Sequence, residues 1–257
     1  MFDLELKNKV VIITGGSDGL GYATAKRFAI EGAKVVICAR REKHLMHAAE
    51  NLSNETHGSV IGIQADVSVD EDCNMLIEKS LEAYEGIDLL INNAGSSLSL
   101  GLEQLSDEQW HQDLNLKLMG ALRMSRGVIP HMKKRGGGAI VNAATGAGKS
   151  PEAMRLPTCV SRAAGINLTK SLANEYAKDK VRINTICIGK IKSAQWERRS
   201  VQGDLEKLYQ DIGEKIPLGR IGEPEEYADL AVFLCSARGT YITGAAINLD
   251  GGLCRTV

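Results

Sequence analysis

The residues with the clearest chemical meaning form a glycine-rich run, Thr14–Gly21, which follows the first strongly apolar segment of the chain. Glycines let a backbone turn sharply and approach a phosphate, and a helix that begins in such a turn offers its free N–H groups to the anion. A glycine-rich turn can be purely structural, but this one lies between a predicted strand and a predicted helix, the setting of a dinucleotide site. The run therefore predicts a pyrophosphate-binding loop formed by Gly15, Ser17, Asp18, Gly19, Leu20 and Gly21.

The end of the second predicted strand, Cys38-Ala39-Arg40-Arg41, indicates which dinucleotide the loop would hold. A site for NAD(H) places Asp or Glu near this point to accept hydrogen bonds from ribose hydroxyls, whereas Arg suits the 2′-phosphate of NADP(H). Two arginines at a helix start can also be ordinary surface charge, and the acidic Asp18 in the loop does not favour a phosphate. We expect Arg40 and Arg41 to favour NADP(H) over NAD(H).

Short β-branched runs alternate with longer amphipathic segments along the chain. The pattern predicts strands at 10–13, 34–38, 59–65, 88–91, 140–142 and 181–184, and helices at 20–30, 42–54, 70–85, 106–135 and 158–178. The apolar runs are continuous, which is typical of parallel strands covered on both faces, and strand–helix alternation favours right-handed crossovers. Since no linker or repeat divides residues 1–257, we expect a single doubly wound Rossmann-type α/β domain with a central parallel sheet flanked by helices.

The composition argues against several other classes of protein. A net charge of −1, with 44% hydrophobic and 25% charged residues, fits an ordinary globular protein and gives no electrostatic reason to bind nucleic acid or an anionic membrane. The six cysteines show neither CxxC spacing nor a Cys/His cluster, so we expect no metal site. The N-terminal segment does not resemble a signal peptide, and no apolar run approaches the roughly 20 residues of a membrane span. We therefore expect a cytoplasmic protein.

Further motifs lie where such a fold would place functional loops. They are Asp66-Val67 after the third strand, Asn92–Gly95 after the fourth, Ile140–Asn142 in the fifth, Leu168–Ala173, Arg182–Asn184, Thr243–Ala245 and Asp250–Gly252. Together with the Thr14–Gly21 loop, these motifs make the chain resemble the short-chain dehydrogenase/reductase superfamily, and within it the 3-oxoacyl-[acyl-carrier-protein] reductases. The resemblance runs from about Leu6 to Leu253, essentially the whole chain.

The resemblance implies how a nicotinamide dinucleotide would be held. Asp66 and Val67 would flank the adenine, while the residues after the fourth strand would line the cofactor and Arg162 would hold the nicotinamide ribose. In the segment 188–193, which usually begins Pro-Gly and ends in Thr, this chain has Ile188-Gly189 and Ser193. The segment 195–213 would cover the substrate, and its aromatic residues Trp196 and Tyr209 would border the pocket. The implied cofactor residues are Asp66, Val67, Asn93, Ala94, Gly95, Arg162, Ile188, Gly189, Ile191 and Ser193.

The family's chemistry uses Asn, Ser, Tyr and Lys side chains, and this chain differs at all four positions. Counting from ungapped motifs gives Lys117 for Asn, Thr145 for Ser, Thr158 for Tyr and Arg162 for Lys. Thr145 keeps a hydroxyl, and Arg162 keeps a charge that can bind ribose hydroxyls but cannot lose a proton. Thr158 is the damaging exchange, because an alkyl alcohol is a far weaker acid than a phenol and acid/base catalysis contributes roughly 10²–10⁴ in rate. Lys117 could serve as an acid if burial lowers its pKa.

Two hypotheses about function stay open at this point. The first is an NADP(H)-dependent oxidoreductase for carbonyl or alcohol substrates, with a proton relay rebuilt from Lys117, Thr145, Thr158 and Arg162. The second is a nicotinamide-nucleotide-binding protein without redox turnover, either a sensor or a silent subunit of a mixed oligomer. The resemblance also implies a homo-oligomer, a dimer or a tetramer, that associates through the helices at 106–135 and 158–178. Nothing in the sequence names the substrate.

Overall fold

A seven-stranded parallel sheet forms the centre of the protein in a computed structural model, which describes residues 3–193 and 204–256. The strands are β1 (Val10–Thr14), β2 (Lys34–Ala39), β3 (Val60–Gln64), β4 (Leu89–Asn92), β5 (Ser99–Leu100), β6 (Gly138–Thr145), β7 (Leu156–Pro157), β8 (Val181–Ile188) and β9 (Ala246–Leu249). All but β5 and β7 join the main sheet, in the order β3-β2-β1-β4-β6-β8-β9 with every neighbouring pair parallel. The strand order reverses between β1 and β4, and such a reversal opens a crevice at the carboxyl ends of the strands.

Helices cover both faces of this sheet. They are α1 (Gly19–Ile30), α2 (Glu42–Thr56), α3 (Asp70–Tyr84), α4 (Asp107–Leu114), α5 (Gly120–Lys134), α6 (Thr158–Tyr176), α7 (Leu205–Gly213) and α8 (Pro224–Cys235). Helices α1, α2 and α8 pack around Phe28 on one face, and α3, α5 and α6 pack around Leu76 on the other. Neighbouring strand residues divide between the two clusters, Ile13 into the first and Ile12 into the second. Burial on both faces explains the continuous apolar runs, and the predicted doubly wound fold is confirmed.

The prediction of one long helix over residues 106–135 is wrong, because the helix is interrupted in its middle. Helix α4 ends at Leu114, and a π-helical turn over Asn115–Met119 separates it from α5. The Asn115 side chain donates to the Ser68 carbonyl over 3.0 Å, and Lys117 within the turn is buried against residues of α4 and α6. These two tertiary contacts hold the turn in a wider form than local sequence favours. Such turns are rare and are frequently found at functional sites.

A short antiparallel pair brings the loop after β4 against the start of α6. Ser99 of β5 lies opposite Pro157 of β7. Because Pro157 directly precedes α6, the pairing places the backbone carbonyl of Leu98 beside Thr158, the first residue of that helix. Two separate parts of the chain are therefore joined at the position that the sequence assigns to the missing tyrosine.

Two further expectations concern a membrane span and the segment predicted to cover the substrate. Within residues 3–193 and 204–256, no helix combines the length and apolar character needed to cross a membrane. Of the segment predicted to cover the substrate, Trp196 lies outside the described residues. Its later part forms α7, where the Tyr209 ring centre lies 5.4 Å from the Lys192 ammonium.

Candidate functional site

A cleft of about 910 Å³ crosses the carboxyl ends of β1, β2, β3, β4, β6 and β8. Its walls bring together loops that are far apart in the sequence, as expected at the point where an open α/β sheet reverses its strand order. Of the residues predicted to hold the cofactor, those that line the cleft are Gly15, Ser17, Asp18, Gly19, Leu20, Arg40, Arg41, Asp66, Val67, Asn93, Ala94, Gly95, Arg162, Ile188, Gly189, Ile191 and Ser193.

Gly21, the remaining predicted cofactor residue, supports the loop from behind. A Cβ at this position would lie 2.1 Å from the Gly15 carbonyl oxygen and 2.7 Å from the Asn93 Nδ2. That Nδ2 donates to the carbonyls of Thr14 over 3.1 Å and Gly15 over 3.2 Å. The Thr14 hydroxyl accepts the backbone N–H groups of Asn93 and Ala94, each over 3.0 Å. The loops after β1 and β4 are therefore held tightly together, with room only for glycine at position 21.

The start of α1 forms one wall of the cleft and is stabilised by its own cap. The exposed Asp18 side chain accepts the backbone N–H of Gly19 over 2.8 Å. Because the N-terminal end of a helix carries partial positive charge, this wall suits a phosphate group.

The arginines after β2 lie at the rim of the cleft. The Arg40 side chain is 73% exposed, and its Nη1 lies 3.9 Å from the Asp66 carboxylate. Arg41 is also exposed, and it makes no side-chain cap at the start of α2. Asp66 accepts the Ser68 hydroxyl over 2.7 Å. The rim thus presents two exposed cations, one of them within 3.9 Å of a carboxylate.

Three of the four predicted catalytic residues line the other end of the cleft. Thr145 ends β6, and its hydroxyl oxygen is buried without a hydrogen-bond partner among the described residues. Arg162, one turn into α6, donates from Nη1 to the Ala143 carbonyl over 2.6 Å. Its Nη2 lies so close to Gly95 that a Cβ there would be 2.7 Å away. Thr158 completes this end of the cleft.

Lys117, the fourth predicted catalytic residue, does not line the cleft but lies directly behind Thr158. Its ammonium donates to the Thr158 hydroxyl oxygen over 2.9 Å and to the Asp113 carboxylate. The side chains of Lys117 and Asp113 are only 1% and 2% exposed. The Thr158 hydroxyl in turn donates to the Leu98 carbonyl over 2.6 Å. A row of hydrogen bonds therefore connects a buried ammonium with a hydroxyl in the cleft wall.

The protonation of Lys117 is strongly perturbed. Its pKa falls from 10.5 to about 8, first because the amine is buried and second because the Arg162 charge repels the ammonium form. The hydrogen bond and charge of Asp113 oppose this fall. Lys117 can therefore exchange a proton close to neutral pH, which the threonine hydroxyls cannot do by themselves.

Sequence reasoning missed Asp113 as the partner of Lys117. The spacing of the two residues indicated the pairing, since residues four apart on a helix share one face. The Leu98 carbonyl carried no such signal, because only the β5–β7 pairing brings it to Thr158. Tyr227 was also missed: it is fully buried in α8, and its hydroxyl has no hydrogen-bond partner among the described residues. Burial raises the pKa of Tyr227, so it is not a substitute for the missing acid.

Among the residues that the structure describes, no tyrosine lines the cleft. Over the same residues, no group of three or more His, Cys, Asp or Glu side chains is arranged to hold a metal ion.

Comparison with known proteins places this architecture in a family. The family model described as enoyl-(acyl carrier protein) reductase matches residues 15–254. Dehydrogenase/reductase SDR family member 4 of Oryctolagus cuniculus is 36% identical over 96% of this chain and 94% of its own length. The 3-oxoacyl-[acyl-carrier-protein] reductase of Thermotoga maritima is 33% identical over 97% of this chain and 99% of its own length.

A solved structure agrees with these relatives. L-sorbose reductase from Gluconobacter frateurii, crystallised with NADPH and L-sorbose, superposes with a TM-score of 0.95 at 35% identity and 100% coverage of both chains. The fold, the family model and the sequence relatives lead to one conclusion: the chain belongs to the short-chain dehydrogenase/reductase superfamily of oxidoreductases.

Proposed function

We propose that the protein is an NADP(H)-dependent oxidoreductase that interconverts a carbonyl group and an alcohol. One observation carries the proposal: a single cleft has the glycine-rich loop and two arginines at one end and three polar side chains, Thr145, Thr158 and Arg162, at the other. That arrangement suits a dinucleotide bound across the carboxyl ends of the strands, with a small substrate beside it. The L-sorbose reductase relative, which was crystallised with NADPH, supports the choice of NADP(H).

Different residues at the cofactor end would bind different parts of the dinucleotide. The positive start of α1 and the loop before it would hold the pyrophosphate, and Arg40 and Arg41 would contact the 2′-phosphate. Arg162 has one nitrogen fixed on the Ala143 carbonyl and another facing Gly95, which leaves its guanidinium edge in the cleft wall for ribose hydroxyls. The residues present therefore fit the cofactor.

The residues of the reacting end would orient the substrate. When bound, NADPH would supply a hydride, and the chain must align a carbonyl with it and provide a proton. The buried hydroxyl of Thr145 has no hydrogen-bond partner among the described residues, so it can donate to a substrate oxygen without giving up a bond to any of them. Thr158 lines the same end and offers a second hydroxyl.

A second function, binding without turnover, is favoured by the absence of a tyrosine among the described residues of the cleft wall. An assay with NADPH and a panel of ketoses, 1,2-diketones and 3-oxoacyl thioesters separates the two functions, with cofactor oxidation followed by absorbance. Our proposal expects turnover of at least one class. NADPH binding with no turnover in any class would favour the silent binder.

The two rim arginines should decide the cofactor preference. We expect Arg40→Ala with Arg41→Ala to weaken NADPH binding by about 10–100-fold, because contacts to a charged phosphate contribute about 1.5–3 kcal/mol each and the exposed position reduces that value. NADH affinity should change by less than about twofold, since NADH has no 2′-phosphate. Calorimetric titration with both dinucleotides checks this.

Lys43→Ala provides the matched control, because Lys43 is an exposed cation in the first turn of α2 that does not line the cleft. If the double variant weakened NADPH and NADH equally, the arginines would not read the 2′-phosphate.

A further inference from the structure

Behind the cleft wall, three side chains form a continuous row of hydrogen bonds. Lys117 donates to both the Asp113 carboxylate and the Thr158 oxygen, and Thr158 in turn borders the cleft. Asp113 was not among the residues expected to function. Its second carboxylate oxygen, Oδ2, is buried and has no hydrogen-bond partner among the described residues. A buried ion pair costs desolvation energy, and apolar side chains of similar volume are often at least as stable in its place.

We infer that Lys117 supplies the reaction proton through the Thr158 hydroxyl, and that Asp113 positions the lysine and tunes its proton affinity. This inference rests on the proposed oxidoreductase function and specifies the proton source that replaces the tyrosine. Thr158 is the catalytic residue, because it borders the substrate end of the cleft, while Lys117 and Asp113 act through it.

The transfer balances in both directions. In reduction, the carbonyl carbon gains a hydride, its π bond to oxygen opens, and the oxygen takes the Thr158 hydroxyl proton. The hydroxyl turns from the Leu98 carbonyl to the substrate oxygen for this step. The Thr158 oxygen then takes one proton from the Lys117 ammonium, which becomes a neutral amine and is protonated again from solvent. Alcohol oxidation reverses each transfer.

The surroundings of Lys117 support this role. The Asp113 carboxylate faces it from α4, and the Thr158 hydroxyl and the Arg162 guanidinium face it from α6. A small cavity beside it, about 10 Å³ in volume, is further lined by uncharged polar groups of β4, β6 and α6, namely Asn92, Asn142 and Ser161. This volume is about the minimum for one water molecule, which would place a proton donor beside the amine.

The balance of charge sets the proton affinity of the amine. Burial and Arg162 favour the neutral amine, and Asp113 favours the ammonium, which leaves a pKa of about 8. A general acid is most effective when its pKa lies near the working pH. The π-helical turn over Asn115–Met119 is what directs Lys117 into this position.

The sign of the pH dependence follows from these groups. Reduction needs the ammonium form, so its rate should be level below about pH 8 and fall about tenfold per pH unit above it. Oxidation needs the neutral amine and should rise through the same range. Removing the Asp113 charge should move both transitions to lower pH, because Asp113 raises the pKa of Lys117.

The test combines a titration that needs no substrate with a rate measurement. The full chain is labelled with ¹⁵Nζ-lysine, and the Lys117 signal, assigned by its loss in Lys117→Arg, is followed with pH with and without NADPH. We expect Lys117 to titrate near 8 in the wild type and lower in Asp113→Asn. A Lys117 pKa near 10.5, or one that Asp113→Asn leaves unchanged, would overturn the inference.

The rate measurement uses NADPH with L-sorbose and with 2,3-butanedione. Thr158→Val should reduce turnover by about 10²–10⁴-fold while Lys117 keeps its perturbed pKa. Lys117→Met should lose the transition near pH 8. Since Lys117→Met leaves a buried unpaired carboxylate and can fail to fold, Lys117→Met with Asp113→Leu replaces the pair by apolar side chains of similar size.

A measurement of NADPH binding distinguishes failure of the proton relay from failure of the oxidoreductase function on which the relay rests. Wild-type NADPH binding together with an unchanged pH profile in the folded Lys117 variants would defeat the relay and leave the oxidoreductase function standing. Failure of the wild type to bind NADPH would defeat both.

Discussion

Replacing Gly21 by alanine should reduce NADPH affinity by about 100-fold and destabilise the protein by about 1–3 kcal/mol. The new Cβ would lie 2.1 Å from the Gly15 carbonyl oxygen, a backbone atom that can move only if the whole loop moves. Such a movement would break the hydrogen bonds from Asn93 to Thr14 and Gly15 and separate the loops after β1 and β4. Fluorescence titration with NADPH measures the affinity, and thermal unfolding measures the stability.

Gly165→Ala is the matched control for this change. Gly165 lies within α6, and a Cβ there would meet no described atom within 4 Å apart from the adjacent backbone of its own helix. Since glycine is unfavourable inside a helix by roughly 0.5–1 kcal/mol relative to alanine, this variant should be slightly more stable than the wild type and bind NADPH equally. If Gly21→Ala bound NADPH as the wild type does, the loop would not be the phosphate site.

Arg182→Met should lower the free energy of unfolding by about 3–4 kcal/mol. The half-buried Arg182, at the start of β8, donates to the carbonyls of Leu234 over 2.5 Å, Gly239 over 2.8 Å and Ser236 over 3.2 Å. One guanidinium therefore satisfies the end of α8 and the turn after it. Methionine keeps much of the side-chain volume but leaves these carbonyls without their charged donor. Urea unfolding followed by circular dichroism measures the loss.

Arg238→Met is the matched control, because Arg238 is exposed and donates from Nε to the Asp3 carbonyl over 2.7 Å. Its effect should stay below about 1 kcal/mol. Because Arg182 lies at the amino end of β8, opposite the cleft, the folded Arg182→Met protein should still bind NADPH with wild-type affinity. A folded variant with lost binding would show that the two ends of the sheet are coupled.

The fold could be predicted from the sequence because its signals are local. Continuous apolar runs such as Val10–Ile13 identify strands buried on both faces, and the glycines of Thr14–Gly21 identify the turn between β1 and α1. The clustering of the loops around the cleft follows directly, because the residues after each parallel strand meet at one edge of the sheet. For Gly21 the local signal indicated the right loop but not its role, since the steric limit set by Gly15 and Asn93 depends on tertiary packing.

The reacting end was less predictable because its contacts join distant parts of the chain. Counting along the sequence identified Lys117 and Thr158 but could not show that one lies behind the other, forty-one residues away. The π-helical turn that directs Lys117 inward depends on tertiary contacts of Asn115 and Lys117, which helix periodicity cannot reveal. Asp113 had a local signal in its spacing from Lys117, but only its burial distinguishes it from an ordinary surface pair.

Calorimetric titration of the purified full chain with NADPH and with NADH tests the central claim most directly. We predict one NADPH site per chain, with NADH bound at least about tenfold more weakly, a difference of about 1.4 kcal/mol in binding free energy. Binding of neither dinucleotide would contradict the assignment of the cleft.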